Sequence, residues 1–359
     1  VLDSFFPKVT HILASSADGG AEKACTDIIL ALNEAGLPQN VVMRPHDGRL
    51  QKFGSAGIPV QTLPFGGDFD LLTNWKLKKI LHRLSPDIVQ TWLSRAARKL
   101  PSKTSCFPVY VSRLGGYYKM KNYTKTDYFI SNTPDIASYL LKQGVPGNRI
   151  EYIPNFAGTP DKTAAMPRQE FDTPEGAHVF LSLSRLHSDK GIDIFLKALQ
   201  KIPQGYAWIG GSGPLENDLK TLAVELGIEK RVRFLGWRED VSALLRSADY
   251  FVLPSRLEPF GNAFLTAWAH EVPVIASNSQ GPLQFIKDEH NGLLFKMDSP
   301  NDLASKMSFL MENPDFAASL ARQGYRCFKH DFSKQKCVNQ YLSFYKSVYD
   351  STAEIQKAK

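Results

Sequence analysis

Short runs of apolar residues alternate with longer segments of helical periodicity along almost the whole chain. The short runs have the length and β-branched content of buried strands, and the longer segments repeat apolar positions at three- and four-residue spacing. Strands that alternate with helices in this way favour an α/β fold with largely parallel sheets. The predicted strands cover residues 9–14, 41–44, 60–64, 87–92, 109–113, 128–131 and 149–153, and then 179–184, 207–210, 232–235, 250–253, 274–276 and 293–295.

Helical periodicity fills most of the intervals between these strands. Gly36 and Gly144 each follow one of the helices, at the position where a glycine commonly ends a helix. An aromatic stripe, with Tyr341, Tyr345 and Val348 at helical spacing, predicts a last helix over residues 338–356 that packs on the first domain. The other predicted helices cover residues 22–35, 75–84, 134–143, 193–201, 215–226, 241–247, 262–269 and 302–310.

A chain of 359 residues exceeds the usual size of a single core, so two domains are expected. Residues 157–177 are rich in proline, threonine and charge and predict a linker. We therefore predict one domain over residues 1–165 and another over residues 166–337, both Rossmann-like and doubly wound. Such domains bind ligands at the carboxyl ends of their strands, which places the predicted sites on both sides of one cleft.

Composition is that of a water-soluble protein. Hydrophobic residues make up 43% of the chain, and no apolar run approaches the roughly 20 residues that span a bilayer. Residues 1–7 lack the basic leader and apolar core of a secretion signal, so a cytoplasmic location is expected. The four cysteines have no metal-binding spacing and are expected to be reduced thiols: Cys25, Cys106, Cys327 and Cys337.

The net charge of +7 is confined to the first half of the chain. Residues 1–165 hold 20 Lys and Arg against 13 Asp and Glu, whereas residues 166–359 hold 23 of each sign. Such a basic half attracts anionic partners, such as the inner-membrane surface or an anionic glycan or glycolipid. An ordinary solvated basic surface explains the excess equally well. Nucleic-acid binding is disfavoured, because no recognisable module accompanies the charge.

One acidic residue stands out in the loop after the predicted strand 250–253. Glu258 precedes a Pro-Phe-Gly-Asn turn that leads into the predicted helix 262–269. A carboxylate can hold sugar hydroxyls, and the free amides and positive dipole end of a helix N-terminus can hold a phosphate. This loop therefore has the groups to bind both halves of a nucleotide-sugar.

Two cations follow the first strand of the second half. Arg185 and Lys190 lie five residues apart in one loop, so both can converge on an anion. Arginine binds two phosphate oxygens with its fork and lysine adds a point charge, which suits a departing diphosphate. Their position after a strand favours this function over solvated surface charges, whereas His187 in the same loop is interpreted as incidental.

Glycine loops follow three other strands. Gly19 and Gly20 follow the first strand of the chain, Gly211 and Gly213 follow strand 207–210, and Trp237 follows strand 232–235. These loops would let a nucleotide approach the backbone, although ordinary turn chemistry explains each of them taken singly. In the first half, a basic and aromatic set suits a sugar or phosphate but equally suits an exposed loop: Arg95, Arg113, Tyr117, Tyr118, Lys119, Lys121 and Tyr123.

Taken together, the segments 184–193, 211–216 and 258–262 resemble the retaining GT-B glycosyltransferases of family 4. Segments 113–118, 132–134, 153–156 and 236–238 resemble a bacterial branch that builds lipopolysaccharide or other envelope glycans. The resemblance implies that the second domain binds a nucleotide-sugar, UDP-hexose by expectation, and that the first binds the glycan acceptor. It also implies retention of anomeric configuration by a front-face path, with no metal or other cofactor.

The resemblance assigns a role to individual residues. Arg185 and Lys190 would hold the diphosphate, Glu258 would bind sugar hydroxyls, and Arg95, Arg113, Tyr117 and Lys119 would lie on the acceptor side. The remaining donor-binding residues would be Gly19, Gly20, Gly211, Gly213, Trp237, Phe260, Gly261, Asn262 and Thr266.

Two departures from the family pattern put full activity in question. Thr266 stands where the family carries a second glutamate for the ribose hydroxyls, and the loop near residues 92–95 lacks the histidine of many relatives. His11 and His46 are not convincing substitutes. A sugar-nucleotide-binding protein with weak or no transferase activity is therefore the alternative. A Rossmann oxidoreductase is disfavoured, because no complete dinucleotide fingerprint follows the first strand.

Overall fold

The computed structural model describes residues 6–67, 70–102, 108–158, 160 and 163–357. The chain divides into two compact units, with Val1–Asn155 and Lys334–Lys359 in unit 1 and Phe156–Ser333 in unit 2. Each unit is built around one parallel sheet with helices between the strands.

Unit 1 contains a sheet of seven strands in the order β3-β2-β1-β4-β5-β6-β7. Its strands are β1 (Val9–Leu13), β2 (Gln39–Met43), β3 (Val60–Thr62), β4 (Ile88–Trp92), β5 (Val109–Leu114), β6 (Tyr128–Ser131) and β7 (Ile150–Tyr152). Its helices are α1 (Gly20–Glu34), α2 (Asp47–Ser55), α3 (Leu71–Leu84), α4 (Leu93–Arg98), α5 (Pro134–Lys142) and, at the far end of the chain, α13 (Lys334–Lys357).

Unit 2 contains a sheet of six strands in the order β10-β9-β8-β11-β12-β13. Its strands are β8 (His178–Leu183), β9 (Gly205–Gly210), β10 (Val232–Gly236), β11 (Tyr250–Leu253), β12 (Val274–Ser277) and β13 (Leu293–Phe295). Its helices are α6 (Ile192–Leu199), α7 (Glu216–Glu225), α8 (Val241–Ser247), α9 (Asn262–Ala269), α10 (Pro282–Phe285), α11 (Pro300–Glu312) and α12 (Pro314–Asp331).

The strand order reverses at an equivalent place in both sheets. The chain first builds outward to one side of the starting strand and then returns to its other side, at β1 and β4 in unit 1 and at β8 and β11 in unit 2. Loops that leave such a switch point diverge, and the crevice between them is where doubly wound sheets bind ligands. The predicted α/β fold with two doubly wound domains is confirmed.

The sheet of unit 2 is buried on both faces. Along β11, Val252 packs in the core on one face of the sheet, while its neighbours Phe251 and Leu253 pack in the core on the other face. Consecutive apolar residues are therefore required in this strand, because a parallel sheet covered by helices leaves neither face to water. This requirement explains the short, unbroken apolar runs of the sequence.

The structure divides the chain earlier than the predicted boundary between residues 165 and 166. Ala157 packs in the core of unit 2, and the amide of Met166 donates to Ser247 Oγ at 2.7 Å. Much of the predicted linker 157–177 is therefore bound to unit 2, although Thr159, Asp161 and Lys162 lie outside the described residues, as do Cys106 and residues 1–5.

The last helix belongs to unit 1 and begins at Lys334 rather than at the predicted residue 338. Two of its residues, Tyr341 and Tyr345, are fully buried. The hydroxyl of Tyr345 donates to Gln90 Oε1 on β4 at 2.6 Å, and the ring of Phe344 meets that of Tyr128 on β6 edge to face. The aromatic stripe of α13 thus covers the sheet of unit 1. Within the described part of the chain, no helix combines the length and apolarity needed to cross a bilayer.

Candidate functional site

Two loops of unit 2 meet where the strand order of its sheet reverses. Lys190 follows β8 and Glu258 follows β11, and Lys190 Nζ lies 2.8 Å from Glu258 Oε2. Each side chain is 15% exposed. The fully buried Ser255 directs its hydroxyl at the same carboxylate oxygen from 3.4 Å. An ammonium and a carboxylate are therefore held together, partly shielded from water, at the crevice that the topology provides.

Further hydrogen bonds fix these two loops to each other. The amides of Arg256 and Leu257 donate to the carbonyl oxygen of Asp189 at 2.8 and 3.1 Å. The guanidinium of Arg256 binds both carboxylate oxygens of Asp193 at 2.8 Å and one of Asp298 at 2.6 Å. Burial opposes ionisation of Asp193, but the bonds from Arg256 outweigh it and lower the pKa of the carboxyl below its ordinary value. The Lys190 and Glu258 loops therefore form one rigid assembly.

Glycines allow these loops to approach so closely. Gly191 has a φ of +63°, and a Cβ there would collide with the carbonyl oxygen of Pro254. Gly281, after β12, donates its amide to the Glu258 carbonyl at 2.7 Å, and a Cβ there would collide with the carbonyl oxygens of Phe260 and Glu258. Three loops, after β8, β11 and β12, thus depend on backbone contacts that a side chain would prevent.

The predicted glycines Gly211 and Gly213 serve the same kind of packing. A Cβ on Gly211 would collide with the carbonyl oxygen of Ser184, and one on Gly213 with that of Leu186. The amide of Leu186 in turn donates to the Ser212 carbonyl at 3.0 Å. These contacts join the loop after β9 to the loop that carries Arg185 and Lys190. The close backbone contacts explain why both positions are glycine. That Gly211 and Gly213 also contact a donor stays a prediction.

Helix α9 begins directly after the Glu258 loop. Its N-cap is Gly261, with a φ of +105° and no capping side chain, and Asn262 is its first residue. The ring of Phe260 is 4% exposed and packs against Phe285, with ring centroids 5.2 Å apart. The Phe260 side chain therefore belongs to the core, so Phe260 itself can offer a ligand only its backbone groups.

Three further predicted residues of unit 2 differ in exposure, since Arg185 and Trp237 are exposed and Thr266 is partly buried. Arg185 lies in the same loop as Lys190, and its guanidinium makes no hydrogen bond or ion pair within the described ranges. Trp237 follows β10 and is 64% exposed. The hydroxyl of Thr266 donates to the Asn262 carbonyl of its own helix at 3.1 Å. Of the three predicted catalytic residues, the structure brings Lys190 and Glu258 into contact and leaves Arg185 exposed on the loop that it shares with Lys190.

The residues that hold these two loops together do not stand out in the sequence. Arg256, Asp189 and Asp193 were not predicted, and His187, interpreted as incidental, pairs its imidazole with the Asp189 carboxylate. An acidic residue in the first turn of α6 is a readable signal. The partner of Asp193, however, lies on another strand-end loop, and the sequence gives no sign of that pairing.

In unit 1, the first glycine loop precedes α1. Gly19 is the N-cap of this helix and Gly20 its first residue. The buried Glu22 accepts a hydrogen bond from Ser15 Oγ at 2.6 Å, and a Cβ on Gly19 would lie 2.5 Å from the second carboxylate oxygen of Glu22. The absence of a side chain at Gly19 therefore leaves room for the Glu22 carboxylate.

The predicted acceptor residues of unit 1 separate into two groups. Arg95 and Lys119 are exposed, and the partly exposed Tyr117 bonds through its hydroxyl to Asp135. Arg113 is only 3% exposed, and its Nε donates to Tyr341 Oη at 2.9 Å while its other arm binds Asn155. Because these contacts occupy its guanidinium, Arg113 joins the last helix to the sheet and does not lie with the exposed set.

The two histidines that the sequence discounts are both engaged within unit 1. His11 is fully buried and accepts a hydrogen bond from Trp92 Nε1 at 3.3 Å, and burial lowers its pKa to about 3. His46 pairs with Asp18, with 2.9 Å between the ring Nε2 and Oδ1. Across the described residues, no cluster of three or more His, Cys, Asp or Glu side chains has metal-binding geometry.

Comparison with known sequences covers both units. Residues 166–326 match the model of glycosyl transferases group 1, and residues 18–159 match that of glycosyltransferase family 4. The lipopolysaccharide core biosynthesis glycosyltransferase LpsE of Rhizobium meliloti is 33% identical over 337 residues, which are 93% of this chain and 98% of LpsE. LpsD of the same organism, also a lipopolysaccharide core biosynthesis glycosyltransferase, is 30% identical over 94% of this chain and 98% of its own.

Solved structures share the fold of this chain. The crystal structure of Anabaena HepE in complex with UDP and glucose superposes with a TM-score of 0.83 at 21% identity, over 95% of this chain and 100% of that one. The apo form of the lipopolysaccharide outer core galactosyltransferase WaaB gives a TM-score of 0.74 at 20% identity, over 96% of this chain and 99% of its own.

Proposed function

We propose, from the premise that this chain belongs to the GT-B glycosyltransferases of family 4, that it transfers a hexose from UDP to the core of a lipopolysaccharide. The contact between Lys190 and Glu258 carries the proposal, because it joins a phosphate-binding and a hydroxyl-binding group at one switch point. The relatives named for lipopolysaccharide core synthesis support the acceptor, and the UDP and glucose held by HepE support the donor.

The loops of unit 2 suggest how the donor is held. Lys190 and the exposed Arg185 of the same loop would neutralise the charge that grows on the departing UDP, which is where stabilisation accelerates transfer most. Glu258 would exchange part of its contact with Lys190 for sugar hydroxyls, and the amides at the start of α9 would support the phosphate. We propose that these cations make a divalent metal unnecessary.

Retention of anomeric configuration is also part of the proposal. A carboxylate that binds an ammonium at 2.8 Å and faces a serine hydroxyl is a weak nucleophile, so Glu258 is better suited to hold hydroxyls than to attack the anomeric carbon. A front-face path, in which the acceptor enters on the side from which UDP leaves, needs no protein nucleophile. We place the reaction in the cytoplasm, with the acceptor bound by the basic unit 1.

Substitution of the two contacting residues tests the proposal. Lys190→Ala should lower turnover by about 10²–10³-fold, the usual loss when one preorganised group that stabilises developing charge is removed. Glu258→Ala should impair transfer similarly, whereas Glu258→Gln, which can still bind hydroxyls, should lose less. Initial rates are measured with a panel of UDP-sugars and a truncated lipopolysaccharide core as acceptor.

The matched control is Lys220→Ala, because Lys220 also pairs with a glutamate of unit 2, Glu216, at 2.6 Å, but on the exposed surface of α7. This variant should keep the turnover of the wild type. Unchanged turnover in Lys190→Ala would refute the site assignment.

One observation favours the second candidate, a sugar-nucleotide-binding protein with weak or no transferase activity. The Thr266 hydroxyl is bonded within its own helix and so offers a ribose less than a free carboxylate would. Tight binding of a UDP-sugar without product from any acceptor in the panel would establish this alternative, whereas robust product formation would dismiss it.

A further inference from the structure

His187 lies between Arg185 and Lys190, the two cations of the loop after β8. Its imidazole pairs through Nδ1 with the Asp189 carboxylate, and because an ionised carboxylate only accepts hydrogen bonds, Nδ1 carries the proton of this contact. The other ring nitrogen, Nε2, makes no hydrogen bond within the described ranges, and the imidazole is 50% exposed. His187 is therefore bound to the residue next to Lys190 and keeps one nitrogen open to exchange of a proton with water.

Asp189 joins the two loops of the candidate site through its backbone and not through its side chain. Its carbonyl oxygen accepts from the amides of Arg256 and Leu257. Burial opposes ionisation of its carboxyl, but the hydrogen bond from His187 and the charges of His187 and Lys190 outweigh burial and lower its pKa below the ordinary value. An ionised carboxylate thus stands directly beside Lys190, where it repels any diphosphate that Lys190 attracts.

Without a proton on His187, the charges around this site do not favour an anion. The two loops and the ion pairs that continue from them hold four cations and four carboxylates: Arg185, Lys190, Lys197 and Arg256 against Asp189, Asp193, Glu258 and Asp298. Two adjoining loops, residues 211–215 after β9 and residues 278–281 after β12, add no charge. The network is therefore neutral, and an imidazolium at His187 gives it the one positive charge by which it attracts an anion.

We infer that His187 is a positioning residue for the donor diphosphate: as an imidazolium it neutralises Asp189 and so leaves Arg185 and Lys190 to attract the phosphates. Loss of the proton from Nε2 restores the repulsion by the Asp189 carboxylate. Histidine ordinarily exchanges its proton between pH 5 and 8, so donor affinity should fall as the pH rises through this range. The inference rests on the proposed function, since it adds a residue that serves the donor in the same loop.

Calorimetric titration of the full chain with UDP-glucose at about pH 6 and about pH 8 tests the inference. The diphosphate of UDP-glucose is esterified at both ends, so its charge is the same at both pH values and a change in affinity reports on the protein. The wild type should bind about fivefold more tightly at the lower pH, the effect of neutralising one unit charge close to the ligand in water. His187→Gln should bind equally at both pH values, with the affinity that the wild type has at the higher one.

Removal of the Asp189 carboxylate separates this role from a merely structural one. The double substitution His187→Gln/Asp189→Asn should recover the affinity that His187→Gln loses, because the repelling charge is gone while the Asp189 carbonyl still binds the Glu258 loop. If the His187–Asp189 contact only held the turn in shape, the double variant would bind no better than His187→Gln, and that result would overturn the inference.

The matched control is His330→Gln, because His330 also pairs with a neighbouring carboxylate, Asp331, at 2.8 Å, but on the exposed surface of α12. This variant should keep the pH dependence of the wild type. Loss of the pH dependence in His330→Gln, or equal affinity of the wild type at both pH values, would overturn the inference and leave the proposed function standing. Failure of the wild type to bind UDP-glucose at either pH would refute the donor site itself, and the inference with it.

Discussion

The two units share a strand order, apart from the additional edge strand β7 of unit 1, but they differ in the contacts that complete their sheets. In unit 2, the loops after β8, β9, β11 and β12 contact one another through backbone groups, and glycines make those contacts possible. In unit 1, polar groups of the sheet, such as Gln90 and Arg113, are bound by the last helix. The comparison teaches that one topology can be completed in two ways: in unit 2 the loops at the strand ends pack on one another, and in unit 1 a helix from the end of the chain binds the sheet.

Charge separates the two units more sharply than the predicted domains do. Unit 1 holds 24 Lys and Arg against 14 Asp and Glu, whereas unit 2 holds 19 against 22. The net charges are therefore +10 and −3. Within the acidic unit, Arg185 and Lys190 lie on one short loop after β8, while the basic unit exposes a row of cations along α3. A small anion needs the first arrangement and an extended anionic surface suits the second.

Gly191→Ala would test most severely whether close backbone contact defines the unit 2 site. The methyl group would collide with the Pro254 carbonyl and hold alanine at a φ of +63°, so unit 2 should lose about 3 kcal/mol or more of its free energy of unfolding. Gly227→Ala is the matched control, with a φ of +66° and no atom within 4 Å of the added Cβ. It should cost only about 1 kcal/mol. Urea unfolding measures both, and similar losses would show that loop contact adds nothing to backbone strain.

In unit 1, the buried His11 should make the free energy of unfolding depend on pH. Burial holds its pKa at about 3, whereas the unfolded chain binds the proton near 6.5. Between these values the unfolded state binds more protons, so the stabilisation present above pH 6.5 is lost as the pH falls through this window. The loss should approach about 1.4 kcal/mol per pH unit.

His11→Gln should remove this contribution to the slope of stability against pH, whether or not it lowers stability at neutral pH. Urea unfolding between pH 6.5 and 4.5 measures the slope. The control is His290→Gln, because His290 is exposed in the turn between α10 and β13, and this variant should keep the slope of the wild type. An unaltered slope in His11→Gln would place the acid sensitivity elsewhere.

The fold was predictable because its signals are local. Every predicted strand is present, with its ends shifted by a few residues at most, since a strand buried on both faces must be a short apolar run. Four helices were not predicted: α2, α4, α10 and α12. Helix α4 is too short for periodicity to show, whereas α12 buries Ala317, Leu320, Ala321, Gly324 and Phe328 at helical spacing and was open to prediction.

Only those residues of the candidate site that directly follow a recognisable strand could be predicted from the sequence. Lys190 and Glu258 emerged because each follows a recognisable strand and has the chemistry of a ligand-binding group. The Arg256–Asp193 pair and the burial of Arg113 did not emerge, because both depend on which distant loops and helices become neighbours. In a sequence, a basic residue near the end of a strand looks the same whether it faces solvent or, like Arg113, binds a tyrosine of the last helix.

Substitution of Thr266 should have the smallest effect, because Thr266 lies within α9 and not on the loops that pack on one another. Its hydroxyl is satisfied by the Asn262 carbonyl, so it contributes little to a ligand beyond what its helix already provides. Thr266→Glu would place a carboxylate one helical turn beyond Asn262, the first residue of α9, and a charge-assisted bond to a ribose hydroxyl is stronger than a neutral one by about 1 kcal/mol. UDP affinity measured by calorimetry should then rise about fivefold to tenfold. Thr266→Gln, of similar size but without charge, should gain less, and an unchanged affinity in Thr266→Glu would mean that UDP does not reach this turn of α9.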